Sequence, residues 1–516
     1  MRFESFNPVC CSLADIVGKE YLEAVCEARA ALSGDDIDSL LKSATQPVEF
    51  FPDTFHKRLL SLTPKVGEQV CKSRLMHSAK GATTTAFQAV TLTDGAPING
   101  FGYYRVGEDG RLYMITKSEH YHAPVGHAFP GYALIEHARR LGIPNATHNN
   151  TRGHITRLLE EALVHEANGG DETRPDAINR VLNLETGSLA TEAAFKMLLA
   201  RFYRSQTEMP TPKYEGKIPV FLVLGNNDGL LAGNYHGTTI FTQMLRGMWP
   251  ELYARMADNE IVRMHAVRPN SIEDLNEAFR LFENNRQYKI AGFFHEIVMM
   301  NYGALPLSVD FLQHAYALCQ KHDVPTVADE IQSCLWTPGL FLFREYGLHP
   351  TLVAIGKGFP GGEYPASRLL FNSSVDNLAQ FGALVTNGQE ELASLAYLIT
   401  MEWAKRNQER IRKIGAYYGE RIEAMAAQYP GIIYDVTGHQ HLRGISFRDI
   451  DSAVAFVSQL RQLGFDISAQ TYKIDCPPVV LTKIPIIVCP RAIDFLIERM
   501  DGVLRTIASG ATEQAK

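Results

Sequence analysis

Between Val327 and Leu370 the chain reads VADEIQSCLWTPGLFLFREYGLHPTLVAIGKGFPGGEYPASRLL, and no other stretch constrains the fold as tightly. Two short apolar runs, PTVADEI and TLVAIG, each close on a polar residue. Asp329 ends the first, and Lys357, set between Gly356 and Gly358, ends the second. An aspartate and a lysine at the ends of neighbouring buried strands admit two readings. They can form an ordinary salt bridge at a sheet edge, since many perturbed ion pairs are structural. They also suit pyridoxal phosphate (PLP): the lysine amine condenses with the cofactor aldehyde, while the carboxylate keeps the pyridine nitrogen protonated and the ring electron-poor. The G-K-G is not a nucleotide P-loop, because no glycine stands five residues before Gly356 and no Ser or Thr follows Lys357.

The surrounding residues extend the pattern. DEIQ, followed by FREYGLHPTLVAIGKGFPGGEYPAS, resembles the core of the class-III (ornithine/GABA/acetylornithine-type) aminotransferases, which are fold-type-I PLP enzymes. Their pattern runs close to D-E-V-Q-T-G-F-G-R-T-G and then P-D-I-V-x-x-G-K-G-x-G-G-G-x-P. The resemblance spans roughly residues 95 to 510. It implies that Asp329 partners the pyridine nitrogen, Gln332 lies near the ring hydroxyl, Ile331 packs on the ring face and Lys357 is the lysine that carries the cofactor.

Further matches fall in family order. VLNLETGS reads as a strand feeding a turn, and LATEAAFKMLLARF places Ala190, Ala193, Ala194, Met197 and Leu198 on one helical face. A Gly-Ser turn opening a helix suits a phosphate, although Ser188 could simply cap the helix. The family's S-G-[ST]-E-A-x-E-A-A implies that Gly187 and Ser188 bind the phosphate, with Glu192 matching its second glutamate and Leu189 replacing the first. GLLAGNYHGTT is similar to Y-H-G-R-T, which implies Tyr235 stacked on the ring and His236 behind it. In HEIVMMNYGA, Glu296 matches a family glutamate, but Ile297, Met299 and Asn301 depart from the family pattern, and the Met299–Met300 pair suggests either a greasier or differently shaped substrate side or weakened catalysis. Thr386, 29 residues beyond Lys357, matches a threonine that in relatives reaches the neighbouring subunit's PLP; otherwise it caps the following helix. The family's carboxylate-binding arginine has no clean counterpart. Lys473 stands one place early, and a lysine lacks the bidentate fork; Arg443 reads as structural.

Composition sets limits. The 516 residues hold about three domain-sized units, or two interleaved ones, and 46% apolar with 21% charged residues is ordinary globular content. A net charge of −7 without a long basic run argues against nucleic acid or an anionic membrane. The start, MRFESFNPVCCSLADIV, lacks signal-peptide features, and the eight cysteines, at 10, 11, 26, 71, 319, 334, 476 and 489, show no C-x-x-C spacing. Reduced thiols in the cytoplasm are expected. His120, His122 and His127 invite a metal reading, but no nearby carboxylate or cysteine completes the ligand set, so no metal is expected.

The expected fold is α/β, a mostly parallel central sheet with helices on both faces plus a smaller α+β terminal lobe. Expected units are an N-terminal helical extension (1–80), a small-domain segment that turns β-like from Ala86 to Met114 (81–150), a PLP-binding domain (151–385) and a C-terminal small domain (386–516). The resemblance implies a PLP-dependent aminotransferase acting on an amine or amino acid and a keto acid, as a homodimer with shared sites. The same scaffold supports an aminomutase, decarboxylase, racemase or lyase, or a catalytically silent protein.

Overall fold

The structure, a computed structural model, describes residues 6–73, 75, 79, 81–91, 95–116, 123–145, 150–226, 232–234, 237–472 and 476–514. We number the main strands of its central sheet β1 (Arg180–Leu184), β2 (Ile218–Asn226), β3 (Arg263–Val267), β4 (Tyr288–His295), β5 (Thr326–Asp329), β6 (Leu352–Ile355) and β7 (Ser367–Phe371). Across the sheet the order is β1-β7-β6-β5-β4-β2-β3. β7 runs antiparallel to both neighbours, and the other pairs are parallel. This is the expected mostly parallel sheet; besides β7, the short strand Ala232–Gly233 is also reversed, against β2.

Side chains alternate across a strand, and here both faces are buried. Along β2, Phe221 and Val223 enter one core while Val220, Leu222 and Leu224 enter the other. β6 divides likewise, with Leu352 and Ala354 on one side and Val353 and Ile355 on the other. Helix Gly187–Leu199 covers the first face with Ala190, Ala193, Ala194, Met197 and Leu198, all buried as its periodicity predicts. The second face takes helices Ile272–Glu283 and Val309–Lys321.

The terminal lobe carries a four-stranded sheet of Ile433–His439, Leu442–Phe447, Val479–Lys483 and Ser468–Gln470. A second four-stranded sheet joins distant parts of the chain: Phe465–Asp466 pairs in parallel with Leu112–Ile115, which continues into Tyr104–Gly107 and Pro97–Phe101. The β-like reading from Ala86 fails at its start, because Thr85–Val90 is helical. The Thr84 hydroxyl accepts the Phe87 N–H and caps the turn, and no residue of the helix is buried, so no partner strand imposes an extended backbone.

The N-terminal segment packs on its own chain. Cys10–Cys11 pairs with Val48–Glu49, the Asn7 N–H donates to Asn407 Oδ1 at 2.7 Å, and the Phe6 ring lies 5.1 Å from that of Trp403. Among the described residues no helix is long and apolar enough to cross a membrane.

Glu330, directly after β5, is fully buried and fastens the turn below the sheet. Its Oε2 accepts the Ser333 hydroxyl at 2.6 Å and its Oε1 the Phe343 N–H at 2.6 Å. Burial outweighs these bonds and pushes the acid up to about 7 from 4.5. An acid raised in the folded state contributes stability that is fully present below about pH 4.5 and is lost as pH rises through about 7. Glu330→Gln should therefore flatten the fall in unfolding free energy between those pH values by on the order of 3 kcal/mol. Urea unfolding of both proteins at pH 5 and pH 8 measures it, and an unchanged pH dependence refutes it.

Candidate active site

Polar groups of a sheet covered on both faces collect where its strands end, and the loops after β1, β4, β5 and β6 all leave carboxyl ends. They surround a cavity of about 480 Å³, within the roughly 300–1,000 Å³ usual for small-molecule sites. The cavity brings together Gly187, Ser188, Glu296, Asp329, Ile331, Gln332 and Lys357.

Asp329 is buried at the last position of β5, and its Oδ1 accepts the Ile331 N–H at 3.0 Å. That local bond turns the chain off the strand and sets Ile331 and Gln332 beside the carboxylate. Beyond β6, Lys357 adopts a φ of 39°, in the left-handed region that non-glycine residues avoid. A Cβ on Gly356 would lie 2.3 Å from Ser367 Oγ and 3.2 Å from Ile331 Cδ1, and one on Gly187 would lie 2.8 Å from Ile331 Cδ1. Ile331 is thus wedged between the loops that carry Gly187 and Lys357, and only glycines permit that approach.

At helix Gly187–Leu199 the cap is Thr186, whose side chain accepts the Leu189 N–H at 3.4 Å from an extended backbone. Ser188 lies inside the first turn instead, its Oγ accepting the Thr238 N–H at 3.2 Å. The first-turn N–H groups of Gly187 and Ser188 have no acceptor within a helix, and they lie at the positive end of its dipole. Glu296 accepts from Asn234 Nδ2 at 3.3 Å, and Glu192, outside the cavity lining, accepts the Thr239 hydroxyl at 2.8 Å.

Other candidates lie elsewhere. Thr386 is exposed and away from the cavity lining. The following helix starts at Glu391 with Glu390 in the cap position, so Thr386 does not cap it. Met299 and Met300 are fully buried in the core rather than lining the cavity, which removes them from the expected substrate side. Arg443 pairs with Glu423 at 2.8 Å in the terminal lobe. Tyr235, His236, Lys473, His120 and His122 lie outside the described residues. No metal-ligating cluster of three His, Cys, Asp or Glu occurs among the described residues.

Sequence reasoning missed Glu185, Tyr364 and Ser367, which also line the cavity. Tyr364 accepts from Arg139 Nη2 at 2.6 Å. Only the position of Tyr364 within GGEYPAS, seven residues past Lys357, signalled it.

This donor set fits PLP. A buried carboxylate and a primary amine share one cavity, a helix N-terminus faces it, and glycines stand where side chains would crowd Ile331. Comparison with known proteins agrees. The family model described as "Aminotransferase class-III" matches residues 96–503. An ornithine aminotransferase of Saccharomyces cerevisiae is 25% identical over 64% of this chain and 74% of its own length. A succinylornithine transaminase/acetylornithine aminotransferase of Pseudomonas aeruginosa is 27% identical over 63% of this chain and 75% of its own. Among solved structures, an ornithine aminotransferase of Toxoplasma gondii superposes with a TM-score of 0.64 at 18% identity, covering 85% of this chain and all of the other. This chain belongs to the class-III aminotransferases, a family of PLP-dependent enzymes that transfer amino groups.

Proposed function

We propose that Lys357 is the residue that anchors PLP and that Asp329 is the partner of its pyridine nitrogen, in an enzyme moving an amino group from an amine or amino acid to a keto acid. The observation that carries this reading is the single cavity lined by both side chains, at the ends of adjacent parallel strands paired in register through Asp329 and Ala354. When bound, the cofactor supplies an electron sink for charge developing on the substrate carbon.

The chain's own residues do the rest. Asp329, buried and acceptor-only when ionised, keeps a proton on the facing ring nitrogen. Lys357 would hold the cofactor, and its Nζ would hold and move the proton at the amine-bearing carbon. Gly187 and Ser188 would receive the phosphate, and Ile331 and Glu296 would flank the ring; the family resemblance gives Tyr235 and His236 the stacking and supporting roles. The enzyme acts in the cytoplasm as a homodimer, with an exposed Thr386 reaching the partner's phosphate. Ornithine and N-acetylornithine, named in relatives, head the panel of candidate donors.

Lys357→Ala should lower turnover at least about 10³-fold and abolish the chromophore that borohydride reduces in the native protein. Amino transfer from the donor panel to pyruvate or 2-oxoglutarate is the assay. A native protein that converts a donor without transferring its amino group would instead favour a lyase, decarboxylase or mutase. Gly356→Ala places a methyl group against Ser367 and Ile331. It should weaken PLP binding about tenfold, measured by absorbance titration, and unchanged affinity would remove Gly356 from the site.

A further inference from the structure

Lys483 ends the terminal-lobe strand Val479–Lys483 and is fully buried. A buried ammonium is costly unless it is held. Its Nζ donates to Gln332 Oε1 at 3.1 Å and lies 3.7 Å from the centroid of the buried Trp336 ring. Both sides of this contact are tied down. The Lys483 backbone N–H donates to the Thr116 carbonyl at 3.1 Å, and Trp336 Nε1 donates to the Ile484 carbonyl at 3.2 Å.

An ammonium can only donate, so the amide atom facing it is the oxygen. An amide without such a neighbour can flip, offering either oxygen or NH2 from nearly the same shape. With its oxygen on Lys483, Gln332 keeps the NH2 for the cavity it lines beside Asp329 and Lys357.

We propose that Lys483 is a positioning residue for the cofactor: it fixes Gln332 so that the amide presents N–H rather than C=O to the ionised ring hydroxyl of PLP, and adds a positive charge behind that oxyanion. The inference rests on the PLP reading of the cavity. An oxyanion accepts and never donates, so the flipped amide would set oxygen against oxygen. Among the described residues, the other titratable groups lining the cavity are Glu185, Glu296, Asp329, Lys357 and Tyr364, and Glu330 and Cys334 stand on the same turn as Gln332. Glu330 is held by Ser333 and Phe343, and the Cys334 thiol donates to the Gly356 carbonyl at 3.4 Å, so neither contends for the amide.

The test is carried out on the full chain, stripped of PLP and titrated with PLP while the visible absorption is followed. Lys483→Met should weaken PLP binding about tenfold. A positive charge and an N–H donor both favour the more anionic form of the bound cofactor. Their loss should therefore raise the pH midpoint of its visible band by about one unit. Lys483→Arg, which keeps charge and donors, should restore both values, and Gln332→Leu should reproduce both changes. Adding Lys483→Met to Gln332→Leu should cost clearly less affinity than Lys483→Met costs alone, since the amide is already gone and only the ammonium's charge remains to be removed. A Lys483→Met protein with native affinity and midpoint, or effects that add in full to those of Gln332→Leu, overturns the proposal. Should Lys483→Met not fold, a folded Lys483→Arg protein shifted as far as Gln332→Leu overturns it equally. A native chain that never takes up PLP refutes the site reading itself, and shows this before any variant is made.

Discussion

The central sheet is buried on both faces, and this constraint decides where chemistry can occur. Along β2 and β6 successive residues enter opposite cores, so no strand interior is left for a charge that must meet a ligand. The polar residues of the site accordingly sit where the strands stop. Asp329 occupies the last position of β5, opposite Ala354, and Lys357 comes two residues after β6. The parallel arrangement of β5 and β6 puts both exits on one edge, and that shared edge assembles a site from residues 28 apart in sequence.

Holding the loops together at that edge takes unusual backbone. Ile331 touches the positions where Gly187 and Gly356 would carry side chains, and Lys357 keeps a left-handed φ costing about 1–3 kcal/mol. The strained residue is flanked by rigid supports: Gly356 is buried against Ser367, and the Gly356 carbonyl accepts from Cys334. A long side chain on a strained but braced backbone starts from a defined point. The proposed role of Lys357, to reach one atom and then move a proton, calls for such a start.

The sheet and the core of the site were legible in the sequence because burial on both faces writes continuous apolar runs, and the DEIQ and G-K-G segments interrupt two of them. Helix Gly187–Leu199 was equally legible, since its alanine face has helical period. Its cap was not: Thr186 and Ser188 are both good capping residues, and only the extended backbone at Thr186 distinguishes them. Thr85–Val90 misled because its aromatic and branched residues favour strands, while Phe87 and Val90 remain 59% and 76% exposed and pair with nothing that would extend them. The Met299–Met300 pair suggested an altered substrate side or weakened catalysis, and both side chains are buried in the core, a placement the sequence pattern does not specify. Lys483 left no local trace, because its partners Gln332 and Trp336 lie about 150 residues earlier.

That last contact joins two parts of the molecule that sequence reading kept separate. Gln332 belongs to the turn after β5, and Lys483 to a strand of the terminal lobe whose backbone also bonds to Thr116. Trp336 lies under the ammonium and donates to Ile484, so the junction is clamped by a ring and a main-chain bond as well as by the amide. The ammonium is desolvated only while lobe and sheet stay closed on each other, and its hydrogen bond to Gln332 survives only then. The lobe therefore does more than cover the sheet: its seating and the proposed donor role of Gln332 depend on the same contact.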